Sequence, residues 1–288
     1  MTHPHVGYQG VPGSFSEQAL RQFFAAEAPT VEFRNFEDVF EALHNGRVEY
    51  GILPIENSNT GMVFDVYDCL QQYNLHIVGE TYVKVEHHLL GVPGSTLADV
   101  REVYSHPQGF SQSRRYLRRY DGTWRLIPYY NTAISAQYVA EQADPRKACI
   151  ASDRCREIYG LQSLQAHIHD EARNFTRFIV IGRELSFGAE ADKLSVLYSL
   201  PHTVGSLYTS LGIFADHNIN LLSVQSRPIK GRPWEWYFYV DLAGNLDEDN
   251  VQSALQQLEQ LSQYLQVLGC YGARPDRLPL QAAEEERV

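Results

Sequence analysis

Four short polar strings hold the side chains best suited to chemistry. Gly10-Val11-Pro12-Gly13-Ser14 stands just before a helical pattern, where backbone N–H groups and the positive helix end could capture an anion. It has neither the lysine of a phosphate loop nor the three-glycine dinucleotide spacing, and a tight turn with positive φ at glycine explains it equally well. Pro54-Ile55-Glu56-Asn57-Ser58-Asn59-Thr60-Gly61 puts five hydrogen-bonding side chains at a strand end. These could hold a carboxylate-bearing ligand without net positive charge, or form an Asx-rich turn with Thr60 as the cap of the next helix. Ser105-His106-Pro107-Gln108 with Gln112 repeats the pattern after another strand, and on a helix Gln108 and Gln112 share one face. Asn174-Phe175-Thr176-Arg177-Phe178 opens an apolar strand with a hydroxyl beside an Arg and an Asn.

These strings need elements to position them. Val6–Gln9 reads as a strand and Ser14 onward as a helix with capping-box spacing at Ser14 and Glu17. Further helices are expected after Asn35, from Val63 to Asn74, over Gln108–Arg119 and over Asn131–Gln142. Strands are expected at Tyr50–Leu53, stopping at Pro54, then over Leu75–Val92, Glu102–Tyr104, Arg125–Tyr129, Ala148–Ala151 and Asn174–Gly182. This alternation means an α/β fold with a largely parallel sheet, in which ligands settle at strand ends. A small, polar linker at Leu185–Asp192 leads to a β-α-β-β-α-β pattern ending near Tyr271, a ferredoxin-like order. The expected domains are 4–185, 192–272 and a frayed tail over 273–288.

Composition narrows the function classes. With 288 residues, two domains and a sizeable core are expected. Net charge is −11, which argues against nucleic-acid binding. No apolar run is long enough to span a bilayer, and the N-terminus lacks a signal-peptide pattern, so a cytoplasmic, membrane-free location is expected. Cys69, Cys149, Cys155 and Cys270 match no zinc or redox spacing and read as buried small hydrophobes. His87-His88 point to opposite strand faces, and no Cys or carboxylate stands at a convincing ligand distance from His167-x-His169, so no metal is expected.

Together and in this order, the Pro-Ile-Glu-Asn-Ser, Ser-His-Pro-Gln and Asn-Phe-Thr-Arg-Phe strings resemble the catalytic domain of prephenate dehydratases, over roughly Val6 to Arg183. The next ~80 residues resemble an ACT regulatory domain. The resemblance implies a two-lobed, periplasmic-binding-protein-like catalytic domain with a cleft, followed by the ferredoxin-like domain. It implies conversion of prephenate to phenylpyruvate, CO2 and water without a cofactor; the sequence shows no chorismate mutase bundle ahead of Val6, so the dehydratase activity alone is expected. Thr176 would donate to the departing hydroxyl, with Asn57, Ser105, Gln112 and, as an orienting group, Glu56 as further catalytic residues. Substrate contacts would come from Gly13, Ser14, Ser58, Gly61, Asn174, Arg177 and Phe178. An L-phenylalanine site would lie between paired ACT domains. One contributes Gly205, Ser206, Leu207 and Tyr208, the other Gln225, Ser226, Arg227 and Pro228, in a homodimer or homotetramer. Ser206, Tyr208 and Gln225 depart from the usual Gly-Ala-Leu-Val and Glu-Ser-Arg-Pro strings, and Ser113 stands where many relatives have Cys. The alternatives are an arogenate dehydratase and, from another class, a non-catalytic amino-acid or anion-binding protein.

Overall fold

The computed structural model describes residues 4–24 and 28–272, so the tail expected over 273–288 lies outside the described residues. The chain divides into two compact units. One holds the residues up to Val39, Ile52–Phe64 and Tyr82–Phe178; the other holds Phe40–Gly51, Asp65–Thr81 and the chain from Ile179.

The elements run β1 (Val6–Gln9), α1 (Phe15–Phe23), β2 (Thr30–Phe33), α2 (Phe36–His44), β3 (Tyr50–Asn57), β4 (Gly61–Met62), α3 (Phe64–Tyr73) and β5 (His76–Lys84). Next come β6 (His88–Gly91), β7 (Glu102–Ser105), α4 (Pro107–Ser111), α5 (Arg114–Leu117), β8 (Arg125–Pro128), α6 (Thr132–Gln142) and β9 (Lys147–Ala151). Then follow α7 (Asp153–Ile158), β10 (Gln162–Gln165), β11 (Phe175–Gly182), β12 (Lys193–Ser199) and α8 (Ser206–Asp216). The last are β13 (Leu221–Pro228), β14 (Trp236–Ala243), α9 (Asp249–Leu261) and β15 (Tyr264–Tyr271).

Three sheets result. The first is ordered β2-β1-β3-β11-β5, with β4 paired to β3; the second is β10-β6-β9-β7-β8; the third is β13-β14-β12-β15. The α/β expectation holds, but the sheets are mixed rather than largely parallel: β6 runs antiparallel to β9 and β10 antiparallel to β6.

Strand periodicity builds the second sheet's core. Leu90, Tyr104, Cys149 and Ala151 enter one apolar cluster, while Leu89, Val103, Ala148 and Ile150 enter another. Neighbours in sequence point to opposite faces, so both faces are buried and the strands read as continuous apolar runs.

Two expected elements are corrected. β3 does not stop at Pro54 but runs on to Asn57, where Glu56 and Asn57 pair with Met62 and Gly61 of β4. A proline is tolerated in a strand where no ladder partner needs its missing N–H. The expected Gln108–Arg119 helix is broken into α4 and α5, with a short 3-10 turn over Arg118–Tyr120 after them. The break is capped from afar, because the Asp170 carboxylate accepts the Arg115 N–H at 3.0 Å and the Asp170 N–H reaches the Gln112 carbonyl at 2.7 Å.

In the second unit, β12 to β15 with α8 and α9 give the βαββαβ order expected from the sequence. Leu194, Val196 and Tyr198 alternate along β12 into a core shared with Phe214 of α8 and Leu258 of α9. The opposite face of this sheet is also covered. Tyr239 donates to the Tyr67 carbonyl at 3.0 Å, and a Cβ at Gly269 would lie 2.1 Å from the Ile77 carbonyl oxygen, so only glycine permits this approach.

Candidate active site

Asn57, at the end of β3, is the hub of the site. Its Oδ1 accepts three donors, Asn59 N (3.0 Å), Thr60 N (3.1 Å) and Thr60 Oγ1 (3.1 Å), which fixes the amide's orientation. Its Nδ2 therefore faces β11, donating to Asn174 Oδ1 at 2.8 Å, Phe175 O at 3.1 Å and Thr176 Oγ1 at 3.0 Å. A hydroxyl that accepts from an amide keeps its own proton for another acceptor. Thr176 is thus preset as a donor. The strand ends are tied by Ser58, whose N–H donates to Phe175 O at 2.9 Å and whose Oγ accepts Phe175 N at 3.0 Å.

The Ser105–Gln112 string meets this group through one contact. Gln108 Nε2 donates to Thr60 Oγ1 at 3.0 Å, linking α4 to the β3–β4 turn. Thr60 is not the cap of α3, because β4 intervenes. Gln112 Oε1 accepts from His87 Nε2 at 2.7 Å. Burial pushes the His87 pKa down to about 4, so at neutral pH the ring is uncharged, with Nε2 protonated toward Gln112. Ser105 is 0% exposed and its hydroxyl donates to Ile150 O at 2.9 Å. It locks β7 to β9 and does not reach the Asn57 group.

Gly13 and Ser14 are likewise engaged locally. Ser14 Oγ accepts the Glu17 N–H at 3.2 Å, and the Glu17 carboxylate accepts the Gly13 N–H at 3.0 Å. This reciprocal cap starts α1 and engages the Gly13 N–H. Gly13, with φ of 87°, takes the tight-turn conformation that is one of the two readings of its string. Arg177 is buried, with its guanidinium 3.8 Å from the Glu56 carboxylate; Phe178 is buried, and Gly61 adopts φ of 82° at the start of β4.

A cavity of about 970 Å³ opens at the C-terminal ends of β1, β2, β7 and β8, lined by Gly10, Arg34, His106, Tyr129, Tyr130 and Asn131 among others. Strand C-termini are where α/β sheets take ligands. His106 Nδ1 accepts the Gln108 N–H at 3.2 Å, and burial lowers the ring's pKa, favouring the neutral form.

In the second unit, Gly205 (φ 84°) precedes α8. Ser206 Oγ donates within its own turn, to Pro201 O and Thr203 O at 2.7 Å, while Leu207 and Tyr208 are exposed. Gln225, Ser226, Arg227 and Pro228 end β13, an edge strand. Arg227 makes a bidentate contact with Asp68 of α3, both bonds 2.8 Å.

The sequence profile described as prephenate dehydratase matches residues 6–186. The chain belongs to the prephenate dehydratase family. A bifunctional chorismate mutase/prephenate dehydratase of Enterobacter agglomerans is 34% identical over 282 residues, covering 94% of this chain and 72% of that one. Arogenate dehydratase/prephenate dehydratase 1, chloroplastic, of Arabidopsis thaliana is 35% identical over 282 residues, covering 92% and 71%. A prephenate dehydratase from Arthrobacter aurescens, solved in complex with L-Phe, has a TM-score of 0.86 at 28% identity, covering 98% and 97%. GqqA, described as a novel type of quorum quenching acylase, has a TM-score of 0.85 at 31% identity, covering 95% and 99%.

Two further residues join this candidate site. Gln108, already part of the Ser-His-Pro-Gln string, bridges to Thr60, and His87, weighed in the sequence only as a metal ligand, holds Gln112. No local pattern announces the His87 contact, since it joins segments remote in sequence. One expectation about metals is corrected as well: a carboxylate does stand beside His167, with Glu86 Oε1 3.6 Å from its Nδ1. β10 pairs antiparallel with β6 and so brings the two segments together. Among the described residues, no helix is long and apolar enough to cross a membrane.

Proposed function

We propose that this chain carries out the decarboxylating dehydration of prephenate, with Thr176 as the proton donor to the leaving hydroxyl. The observation that carries the assignment is the Asn57 Nδ2–Thr176 Oγ1 bond of 3.0 Å. As the C–CO2 bond breaks, its electron pair enters the ring and expels the ring hydroxyl, which takes a proton and leaves as water. Phenylpyruvate and CO2 are the other products. Hydroxide is a poor leaving group, so a donor aimed at it lowers the barrier. Threonine is too weak an acid to ionise first; it donates as the C–O bond stretches and is reprotonated from solvent. Aromatisation drives the reaction. Asn57 positions the donor, Asn174 holds Asn57, and Gln112 and Gln108 contribute amides nearby. Arg177 supplies positive charge for a carboxylate of the dianion, while Glu56 orients it. Ser105, Gly13 and Ser14 support the strand and helix ends that carry these groups.

The domain reading is 4–185 catalytic and 192–272 regulatory, the latter an ACT domain on its βαββαβ order. L-Phenylalanine is the proposed effector, since the Arthrobacter aurescens relative was solved in complex with it. A homodimer or homotetramer is supported by the edge strand β13, where Leu222 and Val224 are exposed.

The test is turnover of prephenate by purified protein, with L-arogenate as the parallel substrate and L-phenylalanine added to saturation. Phenylpyruvate formation supports the reading. A faster reaction with arogenate favours the second reading, which the Arabidopsis thaliana relative supports. Binding of either compound without turnover would leave only a binding protein. An acylase reading, drawn from GqqA, is less well supported. Acyl transfer needs a base that removes the nucleophile's proton, whereas Asn57 donates to Thr176 Oγ1.

A further inference from the structure

We propose that Glu86, His167 and His169 form a binding site for one divalent first-row transition-metal ion of the zinc type. One ligand atom from each of the three lies within 4.8 Å of the other two. His167 Nδ1 is 3.6 Å from Glu86 Oε1, and the two imidazole rings are 5.9 Å apart at their centroids. Bonds of about 2.0–2.2 Å to imidazole and carboxylate put tetrahedral ligand atoms roughly 3.4 Å apart, so closing the site takes shifts on the order of 1 Å. The His167 side chain is 62% exposed, which gives it freedom to move and leaves a coordination position open to water.

Two imidazoles with one carboxylate suit zinc, cobalt or nickel, and disfavour calcium and magnesium, which prefer all-oxygen shells. Two groups compete with the ion. Lys84 Nζ is 2.8 Å from Glu86, but both side chains are solvent-accessible and such an exposed pair is weak. The His87 N–H reaches His169 Nδ1 at 3.3 Å, long for a hydrogen bond. Neither closes the site. The donors come from two remote stretches, Glu86 between β5 and β6, and the two histidines just past β10.

Stripped, full-length protein titrated with Co2+ is the test, read by visible absorption, with Zn2+ as competitor. Saturation at one equivalent and displacement of cobalt by zinc are expected. Glu86→Gln should weaken binding about tenfold or more, as should His167→Asn. Asparagine is chosen because residue 167 has φ of 52°, a conformation it tolerates. Unchanged circular dichroism verifies that each variant folds. The proposal is overturned if the parent shows no saturable cobalt spectrum, or if the Glu86→Gln/His167→Asn double variant binds as tightly as the parent.

Discussion

Arg227 grips Asp68 through both Nε and an Nη at 2.8 Å, and Lys230 reaches the same carboxylate at 2.8 Å. Asp68 lies on α3, the helix that follows β4, the strand paired with the end of β3 at Asn57. Arg227 lies in the segment proposed to bind the effector. Asp68→Asn should therefore weaken phenylalanine inhibition while leaving uninhibited turnover near the parent value. Inhibition curves measured on both proteins decide it, and an unchanged half-inhibiting concentration refutes the coupling.

The same pair makes a prediction about acid stability. The hydrogen bond from Arg227 is the main cause of an Asp68 pKa below its ordinary value. A carboxylate with a depressed folded pKa stabilises the protein above its unfolded pKa of roughly 4, and that contribution is lost as pH falls through the folded pKa. At pH 7, Asp68→Asn should cost about 2 kcal/mol, the worth of a hydrogen bond to a charged group. Urea melts across the acid range should show parent and variant converging below pH 4; a constant gap would contradict this.

Thr176 and Asn57 separate chemistry from binding. Thr176→Ala removes the proton donor and should lower kcat about 10²–10⁴-fold with KM little changed. Thr176→Ser keeps the hydroxyl and should retain most of the rate. Asn57→Ala leaves the hydroxyl but not its orientation, so a loss of about a hundredfold in kcat is expected. Steady-state kinetics on the three variants would expose a wrong assignment if serine were as damaging as alanine.

Much of this architecture is legible in the sequence, because the strings around Asn57 and Asn174 are local and the second sheet's apolar runs follow strand periodicity. Contacts across the chain are not. The Gln108–Gln112 stretch carries a helical pattern, yet its break depends on the Asp170 carboxylate arriving from a distant loop. Gly13 and Ser14 have the composition of an anion loop, and only the placement of the buried Glu17 carboxylate shows that the Gly13 N–H and the Ser14 oxygen take part in a helix cap. Ser105 differs from Thr176 in the same way: both are strand hydroxyls, but one meets a carbonyl and the other an amide N–H.

Lys193 and Glu80 form an ion pair of 2.9 and 3.0 Å with both side chains buried. Lys193→Met takes the buried ammonium partner away from a carboxylate held out of water, and a loss of about 3–5 kcal/mol is expected. Adding Glu80→Gln removes that charge and should restore part of the loss. Denaturant melts of the two variants give the answer, with a double variant no more stable than Lys193→Met counting against the charge explanation.

Cys155 offers a test of the turn before α1. Its Sγ donates to the Gly13 carbonyl at 3.3 Å, Ser152 Oγ donates to the same oxygen at 2.8 Å, and burial pushes the thiol pKa up to about 11. The thiolate is the reactive form, so at pH 8 folded protein should resist alkylation at Cys155. Gly13→Ala would place a Cβ 2.7 Å from that sulfur at a φ of 87°, straining the turn twice over. The variant should lose stability and should alkylate at Cys155 in the absence of denaturant, as mapped by peptide mass spectrometry. Equal protection in parent and variant would mean that the turn does not depend on this approach.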